Sequence, residues 1–405
     1  MQMNEPKLRF KADDGSEFPD WEEKKLGDIT KKISRKDENS NADVRMISQG
    51  NGFILQATKY SRENAGQSLK KYTLLKRNEF AYNHGASKAK PYGVCYRLSE
   101  SDEARVPYVY HTFKLTKGNV DYWNYALNTS YMDRQLKKLV SSGVRMDGLL
   151  NINYDSYMSV KIRVASLPEQ QKIADFLSTI DTVIEKQKAT VEAWEERKKG
   201  VMQKLFSQEV RFKADDGSEF PDWEEKKVNQ IGKVVTGNTP STKEADNYGG
   251  DFLWVTPTDI ESKAYIKKTG RLLTQKGKSK ARILPAGTVL VTCIASIGKN
   301  CILDSEGSCN QQINAVVPNG MMFSYFIYVA FEQRVHELEV LGGNGGMKIV
   351  NKSLFENFRL PYPCLAEQQK IADCLSSLDD VIEKQKATLA AWEEMKKGLL
   401  QQMFV

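Results

Sequence analysis

Apolar side chains recur at alternating steps of four and three along two long stretches of this chain. The first stripe reads Ile173, Leu177, Ile180, Ile184, Gln187, Val191, Trp194, Lys198, Val201, Leu205. The second reads Ile371, Leu375, Leu378, Ile382, Gln385, Leu389, Trp392, Lys396, Leu399, Met403. Such a repeat keeps every stripe position on one side of a helix, and two helices of this kind bury their stripes against each other. Pro168 suits the first turn of a helix and Glu169 meets the positive end of its dipole; the second copy keeps Glu367, with Ala366 in place of the proline. Each helix is predicted at about 38 residues, roughly 57 Å at 1.5 Å per residue. An antiparallel pair would set Gln187 opposite Gln385 and bring Lys198 and Lys396 to the other helix's early turns, near Asp373 and Asp175. A parallel pair would stack lysine beside lysine, so the antiparallel arrangement is expected.

The helices close the two halves of a repeat. RFKADDGSEFPDWEEKK occurs without change at residues 9–25 and 211–227, and LPEQQKIADFLSTIDTVIEKQKATVEAWEERKKGVMQKLF from Leu167 matches LAEQQKIADCLSSLDDVIEKQKATLAAWEEMKKGLLQQMF from Leu365. A period of this length is a domain duplication rather than a solenoid. The inserts between, from about Leu26 to Ala165 and from Val228 to Cys364, share little. Drift alone would have blurred the frame as much as the inserts. Strand-like runs such as FLWV (252–255) and GTVLVTCIA (287–295) alternate with turns, which gives each insert a sheet core. The expected class is α+β: two insert domains separated by two long helices that form an antiparallel coiled coil, with a pseudo-twofold internal repeat. The boundaries read 1–166, 167–206, 207–364 and 365–405.

Length supports that division, since 405 residues exceed one ordinary core. No apolar run reaches the roughly 20 residues of a membrane helix, and the N-terminal MQMNEPKLRF lacks a secretory pattern, so a cytoplasmic location is expected. The six cysteines form no CxxC pair and the three histidines do not flank them at zinc-ligand spacing, so reduced, mostly buried thiols are expected and no metal site. A net charge of +7 permits a polyanionic partner without demanding one.

Local charge is more telling. Residues 263–282, KAYIKKTGRLLTQKGKSKAR, carry eight basic residues and no acidic one, among them Lys263, Lys267, Lys268, Arg271, Lys276, Lys278 and Lys280. One-signed density of that kind suits phosphate contact. In the first insert Lys70, Lys71, Lys88 and Lys90 are interleaved with Tyr82 and Tyr92, which offer stacking area, and with Asn83, His84 and Ser87, which offer hydrogen bonds to base edges. Glycine-rich GGNGGMK (342–348), with Asn344 and Lys348, and its counterpart SSGVRMDG (141–148), with Arg145, are further candidates for approach to a phosphate. WVTPTDI and NQQINAV read as structural. The carboxylates of PDWEEK lie too close along the chain to converge on a catalytic metal, SIGKN lacks the Walker glycine and Ser/Thr, and no Asn-Pro-Pro-aromatic tetrad occurs. The chain reads as a binder without an active site.

With these elements in view, the chain resembles the specificity subunit of type I restriction and modification enzymes over nearly its whole length. The resemblance rests on DWEEKKLGDI (20–29), the two EQQKIA helix starts, TGNTPS (236–241), WVTPTDI (254–260), IASIGK (294–299) and NQQI (310–313); EFAYNHGASKAKPYGV (79–94) looks like a known variety of target-recognition domain. It implies a non-catalytic subunit whose inserts are target-recognition domains, each reading half of a split, asymmetric DNA sequence. It further implies two adenine-N6 methyltransferase subunits bringing S-adenosylmethionine, and motor and nuclease subunits using ATP and Mg, with no cofactor bound by this chain. The rival expectation is a coiled-coil scaffold that binds nucleic acid loosely.

Overall fold

A computed structural model of the chain describes residues 6–37, 40–48, 50, 52–59, 66–85, 87, 90–140, 150–261, 263–343 and 348–404. It separates into two units, residues 1–188 with 387–405 and residues 189–386. The predicted helices are present as Leu167–Phe206 and Leu365–Met403, of 40 and 39 residues. Each gives its first half to one unit and its second half to the other.

Within each unit the two half-helices run antiparallel, as ion pairs across the seam show. In unit one Asp181 meets Lys396, and Lys188 meets Glu393 at 3.2 Å. In unit two Lys198 meets Asp379 at 2.7 Å and Glu195 meets Lys386 at 2.7 Å. The acidic partners are thus Asp181 and Asp379, not the expected Asp175 and Asp373. Those two are exposed, and each accepts a hydrogen bond from the glutamine one turn earlier, Gln171 at 2.8 Å and Gln369 at 2.6 Å. Ile173, Leu177, Ile180, Ile184, Val191, Ile371, Leu375 and Ile382 are buried, while Gln187, Trp194, Leu378, Gln385, Leu389 and Trp392 are half-buried.

In unit one a four-stranded antiparallel sheet runs in the order Thr30–Lys32, His111–Leu115, Phe80–Asn83, Val94–Arg97. Phe80, Tyr82 and Phe113 pack with Tyr122, Trp123 and the helix residues Ile173 and Leu177, while Ala81 and Val94 face a second core around Phe53, Leu75 and Leu98. In unit two the order is Gly232–Thr236, Ile313–Pro318, Val289–Thr292, Asn300–Leu303, Tyr265–Ile266. Alternation explains why Val289, Leu290 and Val291 are apolar in succession: Val289 and Val291 face the helix Ser324–Gln333, Leu290 faces Cys301, Leu303 and Ala315, and both faces are covered.

The repeated EEKK closes each insert onto the frame. Glu22–Lys25 pairs antiparallel with Lys161–Val164, and Glu224–Lys227 with Arg359–Tyr362, so each insert returns beside its own point of departure just before a long helix starts. Among the described residues no helix is long and apolar enough to cross a membrane.

One half-buried acid in unit two, Glu332, yields a pH prediction. Burial pushes the Glu332 carboxyl above its usual range, opposed by nearby Lys198 and by the Tyr328 hydroxyl, which donates to it at 2.8 Å. A raised carboxyl pKa means that the folded state favours the proton. Stability is therefore lost as pH rises from the ordinary carboxylate range through the folded-state value. Glu332→Gln removes that cost and leaves Lys198 its closer partner Asp379. Its melting temperature at pH 7.5 is expected about 1–3 °C above wild type, with no difference at pH 4; scanning calorimetry at the two pH values checks this.

Candidate nucleic-acid interface

The residues of EQQKIAD explain how each insert is held. Glu169 is fully buried: Arg9 donates to both of its oxygens at 3.0 and 2.9 Å, and the Trp21 indole N–H donates at 3.0 Å. Glu367 repeats this with Arg211 at 3.0 and 2.8 Å and Trp223 at 2.9 Å. Gln170 accepts the backbone N–H of Asn119 at 2.9 Å and donates to the Ala165 carbonyl at 2.8 Å. Gln368 accepts from the Phe323 N–H at 3.2 Å and donates to the Pro363 carbonyl at 2.8 Å. Lys172 and Lys370 each donate to a frame carbonyl, of Lys11 and Lys213, at 2.8 Å. Glutamate and lysine thus bind the frame, the first glutamine binds the insert, and isoleucine and alanine enter the core. An aromatic trio seals each junction: Trp21, Tyr122 and Phe404 in unit one, Trp223, Phe326 and Phe206 in unit two.

The basic run of the second insert is less positive in space than in sequence. Lys263 pairs with Glu383, Lys267 with Asp304, Lys276 with Glu244 and Asp246, Lys278 with Glu306 and Lys280 with Glu244, at 2.6–3.7 Å. Folding brings acids from elsewhere onto five of its eight cations. Lys268 and Arg271 are exposed and make no such pair among the described residues.

Two first-insert candidates turn inward. Tyr82 is buried, stacks on Tyr157 at 4.0 Å and donates to the Tyr92 carbonyl at 2.6 Å; burial raises its pKa. His84 is buried, with Nδ1 at 2.8 Å from the Leu150 carbonyl and Nε2 at 3.0 Å from that of Val109. Neither is free to present an edge to a base, a correction to the expectation: Tyr82 lies on the strand Phe80–Asn83 with its ring in the core, and His84, just past that strand, has both ring nitrogens on backbone carbonyls. Asn83 accepts from the Gly85 N–H at 3.0 Å, Ser87 accepts from the Lys90 N–H at 3.1 Å, and Lys90 donates to the Asn128 carbonyl at 3.3 Å. Tyr92 is half-buried, and Lys70 and Lys71 are exposed. Lys88, Arg145 and Asn344 lie outside the described residues.

A polar face that the sequence reading missed lies on the second insert, where four loops are joined edge to edge. Asn238 N–H donates to Cys309 C=O at 2.9 Å, Cys293 N–H to Gln312 C=O at 2.8 Å, Val350 N–H to Cys293 C=O at 2.8 Å, and Ala295 N–H to Lys348 C=O at 3.1 Å. TGNTPS, IASIGK, NQQI and the end of GGNGGMK therefore converge. Thr239, Ser296, Gln311 and Lys348 stand exposed on them, and the Thr239 hydroxyl donates to Gln311 Oε1. Ala295 sits at φ +65°, a left-handed conformation unusual for alanine. The signal lies within NQQINAV, a stretch that reads as structural as a whole: Asn310 and Asn314 are buried, but Gln311 points out. WVTPTDI is indeed a turn staple, with Asp259 accepting from the Thr256 N–H at 2.8 Å, the Thr256 hydroxyl at 2.6 Å and the Gly270 N–H at 2.7 Å. Burial pushes the Cys95 and Cys301 thiols up to about 12.

The family model for the type I restriction modification DNA specificity domain matches residues 221–391. The type I restriction enzyme MjaIX specificity subunit of Methanocaldococcus jannaschii is 34% identical over 207 residues, which are 49% of this chain and 48% of that protein. The chain thus spans about half the length of that relative. The HindI specificity subunit of Haemophilus influenzae is 23% identical over 389 residues, 78% of this chain and 83% of its own. Among solved structures, the S subunit of a type I restriction-modification system from M. genitalium superposes with a TM-score of 0.57 at 16% identity, over 99% of each chain. At that identity the likeness speaks for the fold alone.

Proposed function

We propose, because this chain belongs to the family of type I restriction-modification specificity subunits, that each insert is a target-recognition domain reading one half of a split, asymmetric DNA sequence. The chain is a recognition component and leaves the chemistry to its partners. The observation that carries this reading is the contrast between frame and insert. Two unlike inserts are carried on the same frame, closed by a buried glutamate with its arginine and tryptophan and tied to the insert by a buried glutamine, so the mount is fixed and the reading surface is free to differ. Two adenine-N6 methyltransferase subunits with S-adenosylmethionine would seat on the exposed side of the repeated frame and flip their target bases out of the duplex. Motor and nuclease subunits using ATP and Mg would join them in the cytoplasm to cut unmodified DNA.

On the second insert, Gln311 and Thr239 have the donors and acceptors to read base edges, and Lys268, Arg271 and Lys348 are among the cations left for phosphates. Lys268→Ala and Arg271→Ala are each expected to flatten the plot of log affinity against log salt by about 0.9. Lys278→Ala should leave that slope unchanged, because its ammonium already meets Glu306 at 2.6 Å. Fluorescence anisotropy across a salt series measures all three. The neutralised basic run also weighs against a scaffold that grips DNA by charge alone.

The deciding experiment is co-expression with the companion methyltransferase, followed by mapping of adenine methylation across the genome. A single bipartite motif that disappears when this chain is omitted is expected. Methylation without a motif, or a motif that survives the omission, would overturn the reading.

A further inference from the structure

One seam ion pair in each unit carries a third member supplied by the insert. In unit one the Tyr125 hydroxyl donates to Asp181 Oδ2 at 2.7 Å, the other carboxylate oxygen takes Lys396, and that ammonium lies 5.3 Å from the Tyr125 ring centre. In unit two the Tyr325 hydroxyl donates to Asp379 Oδ2 at 2.5 Å, and Lys198 meets Asp379 Oδ1 at 2.7 Å. Aspartate and lysine belong to the repeated helices, whereas the tyrosines belong to inserts of unlike sequence.

The tyrosines do not occupy matching positions. The buried glutamine of each frame gives a common origin, since Gln170 holds the N–H of Asn119 and Gln368 that of Phe323, the residues that cap the helices Val120–Ala126 and Ser324–Gln333. Counted from these caps, Tyr125 is the sixth residue and Tyr325 the second. The difference of four is about one helical turn, so both face the same side. Where the second insert has Tyr325 the first has Asp121, engaged with Arg97 at 2.5 Å, and where the first has Tyr125 the second has buried Val329. Two different helices have each brought a phenol to the same frame carboxylate.

We propose that the Asp181–Lys396 and Asp379–Lys198 pairs are a common socket, and that Tyr125 and Tyr325 are positioning residues that set the angle at which each insert meets DNA. Glutamine fixes where the insert helix begins, and the tyrosine fixes a second point along it. Two points on one helix define its line over the long helices. This proposal rests on the reading of the inserts as DNA-recognition domains.

The test uses the full chain with its methyltransferase partner and two variants that keep the ring, Tyr125→Phe and Tyr325→Phe. Methylation rates are followed separately at the adenine of each half-site. Each variant is expected to slow its own half at least fivefold relative to the other half. Equal slowing of both halves would mark a general loss of stability, and no slowing would mark the hydroxyl as idle; either overturns the proposal. Should wild type show no bipartite motif at all, the functional reading fails, and hydrogen exchange decides on the socket. Faster exchange confined to residues 120–126 in Tyr125→Phe and to 324–333 in Tyr325→Phe then supports it, and unchanged exchange overturns it.

Discussion

Glu367→Ala is expected to cost the second unit about 3–5 kcal/mol, and Glu169→Ala the same in the first. The carboxylate is fully buried, so its removal strands three donors: two guanidinium N–H groups of Arg211 and the indole N–H of Trp223. Arg211 also donates to the Phe220 and Pro221 carbonyls, at 3.3 and 2.7 Å, so it cannot swing out to water without releasing the frame turn. Glu367→Gln keeps the shape and one acceptor and is expected to lose less, about 1–3 kcal/mol. Urea titration followed by tryptophan fluorescence measures the loss, and hydrogen exchange shows which unit opens. A loss under 1 kcal/mol for the alanine variant would mean that the buried cluster is not what fastens the insert.

The second large effect is expected at Gly237, in TGNTPS. A Cβ there would lie 2.1 Å from the Asn310 carbonyl oxygen and 2.3 Å from that of Cys309, both backbone atoms that cannot turn aside. Gly237→Ala must therefore push the 236–241 loop off NQQI, breaking the Asn238-to-Cys309 hydrogen bond and separating Thr239 from Gln311. Overpacking of this kind costs about 1–3 kcal/mol. The larger consequence is functional: methylation directed by the second insert should fall by more than tenfold while the first half-site is still read. Uniform loss at both half-sites would place the fault in folding and not in the polar face.

What the sequence made legible follows from how local each signal was. The helices, their antiparallel sense, the repeat and the α+β class were legible, because a sustained stripe and a duplicated frame are properties of the chain itself. Less legible were Asp181 and Asp379 as the lysine partners, since register across a seam depends on how both helices are seated. Charge misled for a related reason. Residues 263–282 are one-signed along the chain, but Glu244, Asp304, Glu306 and Glu383 arrive only on folding. Tyr82 and His84 have the residue types of reading residues, but Tyr82 packs its ring into the core from the strand and His84 is held between the Leu150 and Val109 carbonyls, contacts that exist only after folding. Gln311 sits among residues that read as structural, and Asn310 and Asn314 are indeed buried, but the turn closed by the Ile313 N–H on the Asn310 carbonyl leaves Gln311 facing water.

The make-up of unit one has a consequence for synthesis. Residues 189–386 are continuous along the chain, whereas unit one is split and lacks residues 387–405 until all of residues 189–386 have been made. Met403 and Phe404 are buried in its core against Tyr122 and Trp21. Roughly 200 residues at about 5–20 per second mean that the part made first waits some 10–40 s for its final side chains. Until then unit one carries an open apolar surface that a chaperone could shield.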